Sequence, residues 1–266
     1  MVSPRKVYIY IAVFLIVFST DTFVVFANIN KYPKVFFQLL LLLMLVTLLL
    51  ISKFKLSKRL IFYWILQSFL MVLGMIVNND YGKGTIFKIF LILLSAVFCT
   101  VIDFDDFKDS FVEIMSLICF FSLIVYVLSP IVLQNVSHLP VITNINGEQI
   151  VCFGLTNVHI KFDGITRNWG PFWEPGVYAI YLCVALLFSL NDLSKISVKP
   201  IILVLGILST LSTTGYIVLL LIIFEFLVRK SIYVNNKKTI NNIKFIILVL
   251  GFLLFLFVIL NNNRCV

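Results

Sequence analysis

Long apolar runs separated by short polar links set the rhythm of this 266-residue chain. A helix that crosses a bilayer needs roughly 20 apolar residues, with about 17 to 25 as the usual range. Runs of that kind cover residues 7–27, 35–51, 60–77, 86–102 and 112–133, then 175–190, 196–211, 213–228 and 245–260. Between the fifth and sixth lies the only long polar segment, residues 134–174. The runs lack the period-2 alternation of a membrane barrel, and backbone groups left unsatisfied in hydrocarbon cost several kcal/mol each, so helices are the spanning form that remains. The pattern predicts an all-α, polytopic helical membrane protein with nine spans, one transmembrane domain over residues 1–266 and one long extracytoplasmic loop.

The seventh and eighth runs need a break between them. Residues 201–228 as one helix would be about 42 Å long against a hydrocarbon core of about 30 Å. Leu211, Ser212, Thr213, Thr214 and Gly215 supply turn formers and a helix N-cap, so a hairpin is expected there. The seventh helix is then short, and its tip sits below the membrane surface, where irregular backbone is tolerated only against protein or a wet cavity.

Charge sets the orientation. With the N-terminus inside, fourteen of the 21 Lys and Arg residues fall on inner segments and seven on outer ones, the bias that the positive-inside rule asks for. The formal net charge of +9 is therefore topological and not a nucleic-acid footprint. Composition agrees: 61% of residues are hydrophobic, 12% are charged and the mean hydropathy is +1.10, where a soluble domain is about 25% charged. Arg5 and Lys6 followed by about twenty apolar residues without a small-residue cleavage site read as a first span, not a removed signal. Five cysteines show no paired spacing; only Cys152 and Cys265 share a face. His138 and His159 have no metal-ligand spacing. No metal and no cofactor are expected.

Specific chemistry is dense in one place, residues 167–176, with the sequence Arg-Asn-Trp-Gly-Pro-Phe-Trp-Glu-Pro-Gly. Pro175 suits a first helical turn, and the N–H groups behind it make a natural anion seat. Arg167 is either a solvated loop charge or a bidentate phosphate ligand. Glu174 is a helix-end acid favoured by the dipole, or it orients Arg167, or it takes a proton from an attacking hydroxyl. Trp169 and Trp173 read first as interfacial belt residues, and Trp173 also as a stacking face for a sugar. Ser212, Thr213, Thr214 and Gly215 open a second helix toward the same side, as caps first and ligands second. Asp21 is an intramembrane acid, Glu225 and Arg229 form an i,i+4 pair, and Asp103, Asp105, Asp106 and Asp109 read as a solvated inner loop.

With these residues in place, the chain resembles the O-antigen and capsular polysaccharide polymerase (Wzy-type) and O-antigen ligase superfamily. One carrier is an Arg-x-x-Gly-x-x-x-Glu-Pro signature after the long outer loop: Arg167, Gly170, Glu174 and Pro175, with Gly176, Tyr178 and Ala179 behind it. The other is a Ser-x-Thr-Gly motif opening a later span, here Ser212, Thr214 and Gly215, with Thr213 where many relatives have arginine. The resemblance implies an exopolysaccharide glycosyltransferase of the cell envelope, in the bacterial inner (cytoplasmic) membrane with its N-terminus cytoplasmic. The expected substrate is a lipid-linked oligosaccharide on undecaprenyl pyrophosphate, joined to another by inverting transfer at the outer face. Glu174 and Arg167 would be catalytic, and Arg167, Gly170, Trp173, Ser212, Thr213, Thr214 and Gly215 would bind substrate. The implied partners are a repeat-unit flippase, a chain-length regulator and membrane lipid. Members carry more spans and a second outer loop, so a chain truncated at the C-terminus is expected. A transporter or flippase of lipid-linked saccharide is the rival class, and an O-antigen ligase the rival within the superfamily.

Overall fold

A computed structural model describes residues 4–19, 22, 31–51, 58–79, 83–134, 141–143, 149–153, 156–160, 167–190 and 197–234. Asp21, His138, Cys265 and the ninth apolar run, residues 245–260, lie outside them. The described chain is mostly helical. Its elements in order are α1 (Pro4–Ser19), α2 (Lys31–Ile51), α3 (Lys58–Asn78), α4 (Lys83–Val101), α5 (Phe104–Val127), α6 (Ser129–Gln134), β1 (Val141–Thr143), β2 (Gln149–Phe153), β3 (Thr156–Ile160), α7 (Pro175–Ser189), α8 (Val198–Ser209) and α9 (Thr213–Val234). Among the described residues two helices, α3 and α5, are long and apolar enough to cross a membrane; shorter apolar helices run over Leu39–Ile51, Ile89–Val101, α7 and α8.

Three features depart from the sequence pattern. First, α5 starts at Phe104, eight residues before its apolar run, so Asp105, Asp106 and Asp109 are helical and not loop. Asp105 and Asp106 occupy the first turn, where the helix dipole favours acids. Second, the helix breaks at Leu128 and resumes as α6 at Ser129, because Pro130 has no N–H with which to continue the hydrogen-bond ladder of α5. Third, the polar segment holds a three-stranded antiparallel sheet of order β1-β2-β3. Val151 sits opposite both Val141 and Val158 and is fully buried.

The chain divides into two compact units, residues Met1–Thr20 with Asn30–Phe111, and Asp21–Ile29 with Val112–Val266. The boundary falls inside α5, so no linker composition marks it and the sequence reads as one domain.

In the first unit α1 packs on α2, and α4 packs on both α2 and α3. Leu41, Met44, Leu45 and Leu48 make the buried stripe of α2, the i, i+3, i+4, i+7 spacing of one helix face. Tyr8 bonds Thr47 at 3.0 Å. Arg5 pairs with Asp103 at 2.7 Å and Asp106 at 3.3 Å. No residue of α3 is buried.

In the second unit α7 packs on α8 and α9, and α8 on α9. The helices approach closely through small residues, as in membrane bundles. A Cβ on Gly215 would lie 2.7 Å from that of Ala179, and one on Gly206 would collide with Cys119. Cys119 Sγ donates to the Ile202 carbonyl at 3.2 Å, and Lys199 meets Glu113 at 3.4 Å, so α5 and α8 run parallel. The hairpin at Ser212 is present: α8 ends at Ser209, Leu211 takes a left-handed φ of 50° and α9 begins at Thr213. With 12 residues, α8 is about 18 Å long. The ion pairs Glu113–Lys199 and Glu225–Arg229 thus mark one end of this bundle, and the α8–α9 turn marks the other.

Candidate functional site

At that turn end the segment before α7 is pinned by a buried polar network. Asn168, 2% exposed, donates its backbone N–H to the Ser209 carbonyl at 3.0 Å. Its Nδ2 donates to Ser122 Oγ at 3.1 Å and to Ser209 Oγ at 2.9 Å, and its Oδ1 accepts the Gly170 N–H at 3.0 Å. Ser122 and Ser209 direct their own protons to the carbonyls of Cys119 and Gly206. The Tyr178 hydroxyl, 2.7 Å from Ser122 Oγ, is then the donor in that pair. From the other side, Asn157 on β3 donates its N–H to the Gly170 carbonyl at 2.8 Å and its Nδ2 to the Phe172 carbonyl at 3.3 Å.

Gly170 is required by two observations at once. Its φ is +52°, and a Cβ there would lie 2.6 Å from ring carbons of Tyr178. The glycine lets the chain cross the face of that fully buried tyrosine. Phe172 stacks on Tyr178 with centroids 5.6 Å apart and meets Tyr181 at 4.5 Å. Thr22 forms an isolated antiparallel bridge with Phe172. Trp169 is buried, not in an interfacial belt, because its two neighbours are tied into the bundle and the sheet. Trp173 is half-buried.

Glu174 stands at the N-cap of α7 in extended conformation, and Pro175 begins the helix. The exposed carboxylate makes no capping hydrogen bond. Among the described residues no ion pair or hydrogen bond joins it to Arg167. The orienting contact is therefore not formed in this conformation. Arg167 is half-buried, and its Nε is enclosed without a hydrogen-bond partner. Its charge acts on Tyr216 in α9, which Tyr126 of α5 also influences. Among the described residues it has no counter-ion.

The second motif arrives at the same place. Ser212 caps α9, its Oγ accepting the Gly215 N–H at 3.3 Å and its carbonyl the Tyr216 N–H at 3.0 Å. A Cβ on Gly176 would lie 3.7 Å from Ser212 Oγ, so the first turns of α7 and α9 adjoin. Thr213 and Thr214 are exposed there, whereas Ser212 and Gly215 are buried. The fold thus brings the two motifs together. Arg167, Trp173, Glu174, Thr213 and Thr214 remain accessible, and Gly170, Ser212 and Gly215 serve packing and capping.

Sequence reading missed Asn168, Asn157, Ser122, Ser209, Tyr126 and Tyr216. For Ser122, Tyr126, Ser209 and Tyr216 the usable signal was polar side chains inside apolar runs, which in membrane bundles hydrogen-bond across helices; Asn157 and Asn168 lie in the polar segment, where nothing sets them apart. No family model, curated protein or solved structure matches the chain.

Proposed function

We propose that this chain is a nine-span protein of the bacterial inner membrane that polymerises lipid-linked oligosaccharide repeat units at its outer face. The observation that carries this reading is a half-buried arginine with no counter-ion among the described residues, set beside two adjoining helix N-termini. A leaving pyrophosphate needs that combination of positive charge and oriented N–H groups. Apolar α3, with no residue buried by the chain, suits a helix surrounded by lipid.

In the proposed reaction a sugar hydroxyl attacks the anomeric carbon of a second lipid-linked chain. The new C–O bond forms as the bond from that carbon to the pyrophosphate oxygen breaks, with inversion. Undecaprenyl pyrophosphate leaves against Arg167 and the first turns of α7 and α9. The hydroxyl proton passes to Glu174, whose exposed carboxylate is not engaged with Arg167. A ligase would use the same chemistry on a different acceptor. Repeat-unit flippase and chain-length regulator remain the partners of this reading.

Glu174→Gln is the test of the proton acceptor. It keeps size and most polarity but cannot take a proton, so polymer formation should fall about 10²- to 10⁴-fold, as far as in Glu174→Ala. Polymer close to wild type in Glu174→Gln, at equal protein level, would leave Glu174 as a helix-end acid. Topology has its own test: a reporter fused after Lys238 should read cytoplasmic, and a periplasmic signal would remove the nine-span arrangement.

One observation favours a second reading. Broken helices with N-termini deep in the membrane occur in transporters of anionic substrates, and α8 is short enough to give that geometry. A flippase lacking Arg167 would leave lipid-linked repeat units on the inner leaflet. A polymerase lacking it would leave them on the outer one.

A further inference from the structure

We infer that Asn168 is the positioning residue of the site, fixing where its chain neighbour Arg167 stands. This rests on the proposal that Arg167 is the working cation. Three features of the network make asparagine the side chain it demands. Ser122 and Ser209 have both committed their protons to carbonyls at 2.9 and 2.7 Å, so each offers only lone pairs to residue 168. The Gly170 N–H, at 3.0 Å from Oδ1, needs an acceptor. One amide meets all three: two N–H donors toward α5 and α8 and one oxygen back to its own loop. The Gly170 bond also settles which way round the amide sits, since reversal would set donor against donor and oxygen against two oxygens.

The consequence reaches Arg167 through the backbone. The Asn168 N–H is held by the Ser209 carbonyl at 3.0 Å, so both main chain and side chain of residue 168 are tied to the end of α8. The arginine stem therefore leaves a fixed point. Displacement of a substrate-holding group by about an ångström can cost on the order of 100-fold in rate. Aspartate has nearly the same shape as asparagine but accepts only, and would face two serine oxygens with no proton to give them.

The test follows the loop directly. In the full chain with Cys99, Cys152 and Cys265 replaced by alanine, a nitroxide is attached to Arg167→Cys. A second preparation carries it on Ile217→Cys, exposed on α9. Cys119 and Cys183 are buried and are kept, an unlabelled parent serving as the blank. With Asn168 present the probe at 167 should give one immobilised spectrum. Asn168→Ala and Asn168→Asp should both add a mobile component there, Ser209→Ala should add a smaller one, and the probe at 217 should stay unchanged. An unmoved probe at 167 in Asn168→Ala overturns the inference. So does equal loosening of both probes, which would make Asn168 a general brace of the bundle, and so does an Asn168→Asp spectrum matching that of asparagine. In protein that retains Arg167, Asn168→Ala should lower polymer toward the level of Arg167→Ala. Normal polymer in Arg167→Ala would sink the proposed function, yet the spectra would still decide the role of Asn168.

Discussion

Arg167→Ala should abolish long-chain polysaccharide, and Arg167→Lys should do nearly as badly. The Nε is enclosed without a hydrogen-bond partner, while the two outer nitrogens of the planar guanidinium can present a fork to two phosphate oxygens. A lysine ammonium supplies charge on a flexible stem without that fork. It also leaves the space around Nε filled by a methylene. Loss of one preorganised donor to a developing oxyanion is worth about 10²- to 10³-fold, and Arg167 supplies charge besides. The measurement is polymer length on a gel with protein level checked by blot. Full-length polymer from Arg167→Ala would refute the site assignment, whatever the lysine variant does.

Gly170→Ala should have the second large effect, and it should act on folding before chemistry. A non-glycine residue in left-handed geometry costs about 1–2 kcal/mol. The added Cβ would also meet the Tyr178 ring at 2.6 Å, and overpacking of a well-filled core adds about 1–3 kcal/mol. Tyr178 cannot simply swing aside, because its hydroxyl is bonded to Ser122 and its ring lies against Phe172. A lower unfolding temperature of the detergent-purified protein is the expected result. Tyr178→Phe on the same background should not restore it, since the ring and not the hydroxyl makes the clash. Unchanged stability in Gly170→Ala would mean that the loop does not cross Tyr178 as described.

Much of the helix layout was legible because the spacing of apolar runs is a strong signal. The break at Ser212 also lies at a residue that caps a helix, whereas the one at Leu128 falls inside an apolar run that read as continuous. The sheet over residues 141–160 was not legible. Its strands are three to five residues long, and alternation over so short a reach is lost in a polar segment. The division within α5 left no trace in composition either, since a helix can be continuous while the packing around it changes. For the site, sequence placed Arg167, Glu174 and the α9 cap at one end, and the fold does bring their elements together. It read Trp169 as an interfacial residue, whereas the side chain is buried, and of the three roles it left open for Glu174, orientation of Arg167 has no contact among the described residues behind it. It undervalued Asn168, because an asparagine beside an arginine looks like ordinary loop polarity until Ser122 and Ser209, 46 and 41 residues away, are seen beneath it.

The brevity of α8 bears on how the site would feel salt. At about 18 Å it falls about 12 Å short of a hydrocarbon core of about 30 Å. On the spanning arrangement proposed above, the Asn168–Ser209 contact lies beneath the headgroup layer, ten residues along the helix from the Lys199–Glu113 pair. A solvent-exposed charge is largely screened beyond about 8 Å at physiological ionic strength, whereas a partly buried one, as Arg167 is, is screened much less. The field of Arg167 should then persist at salt concentrations that erase a surface arginine. Raising ionic strength several-fold should change capture of a lipid-borne phosphate only slightly. A steep fall would place the guanidinium in open water at the membrane surface.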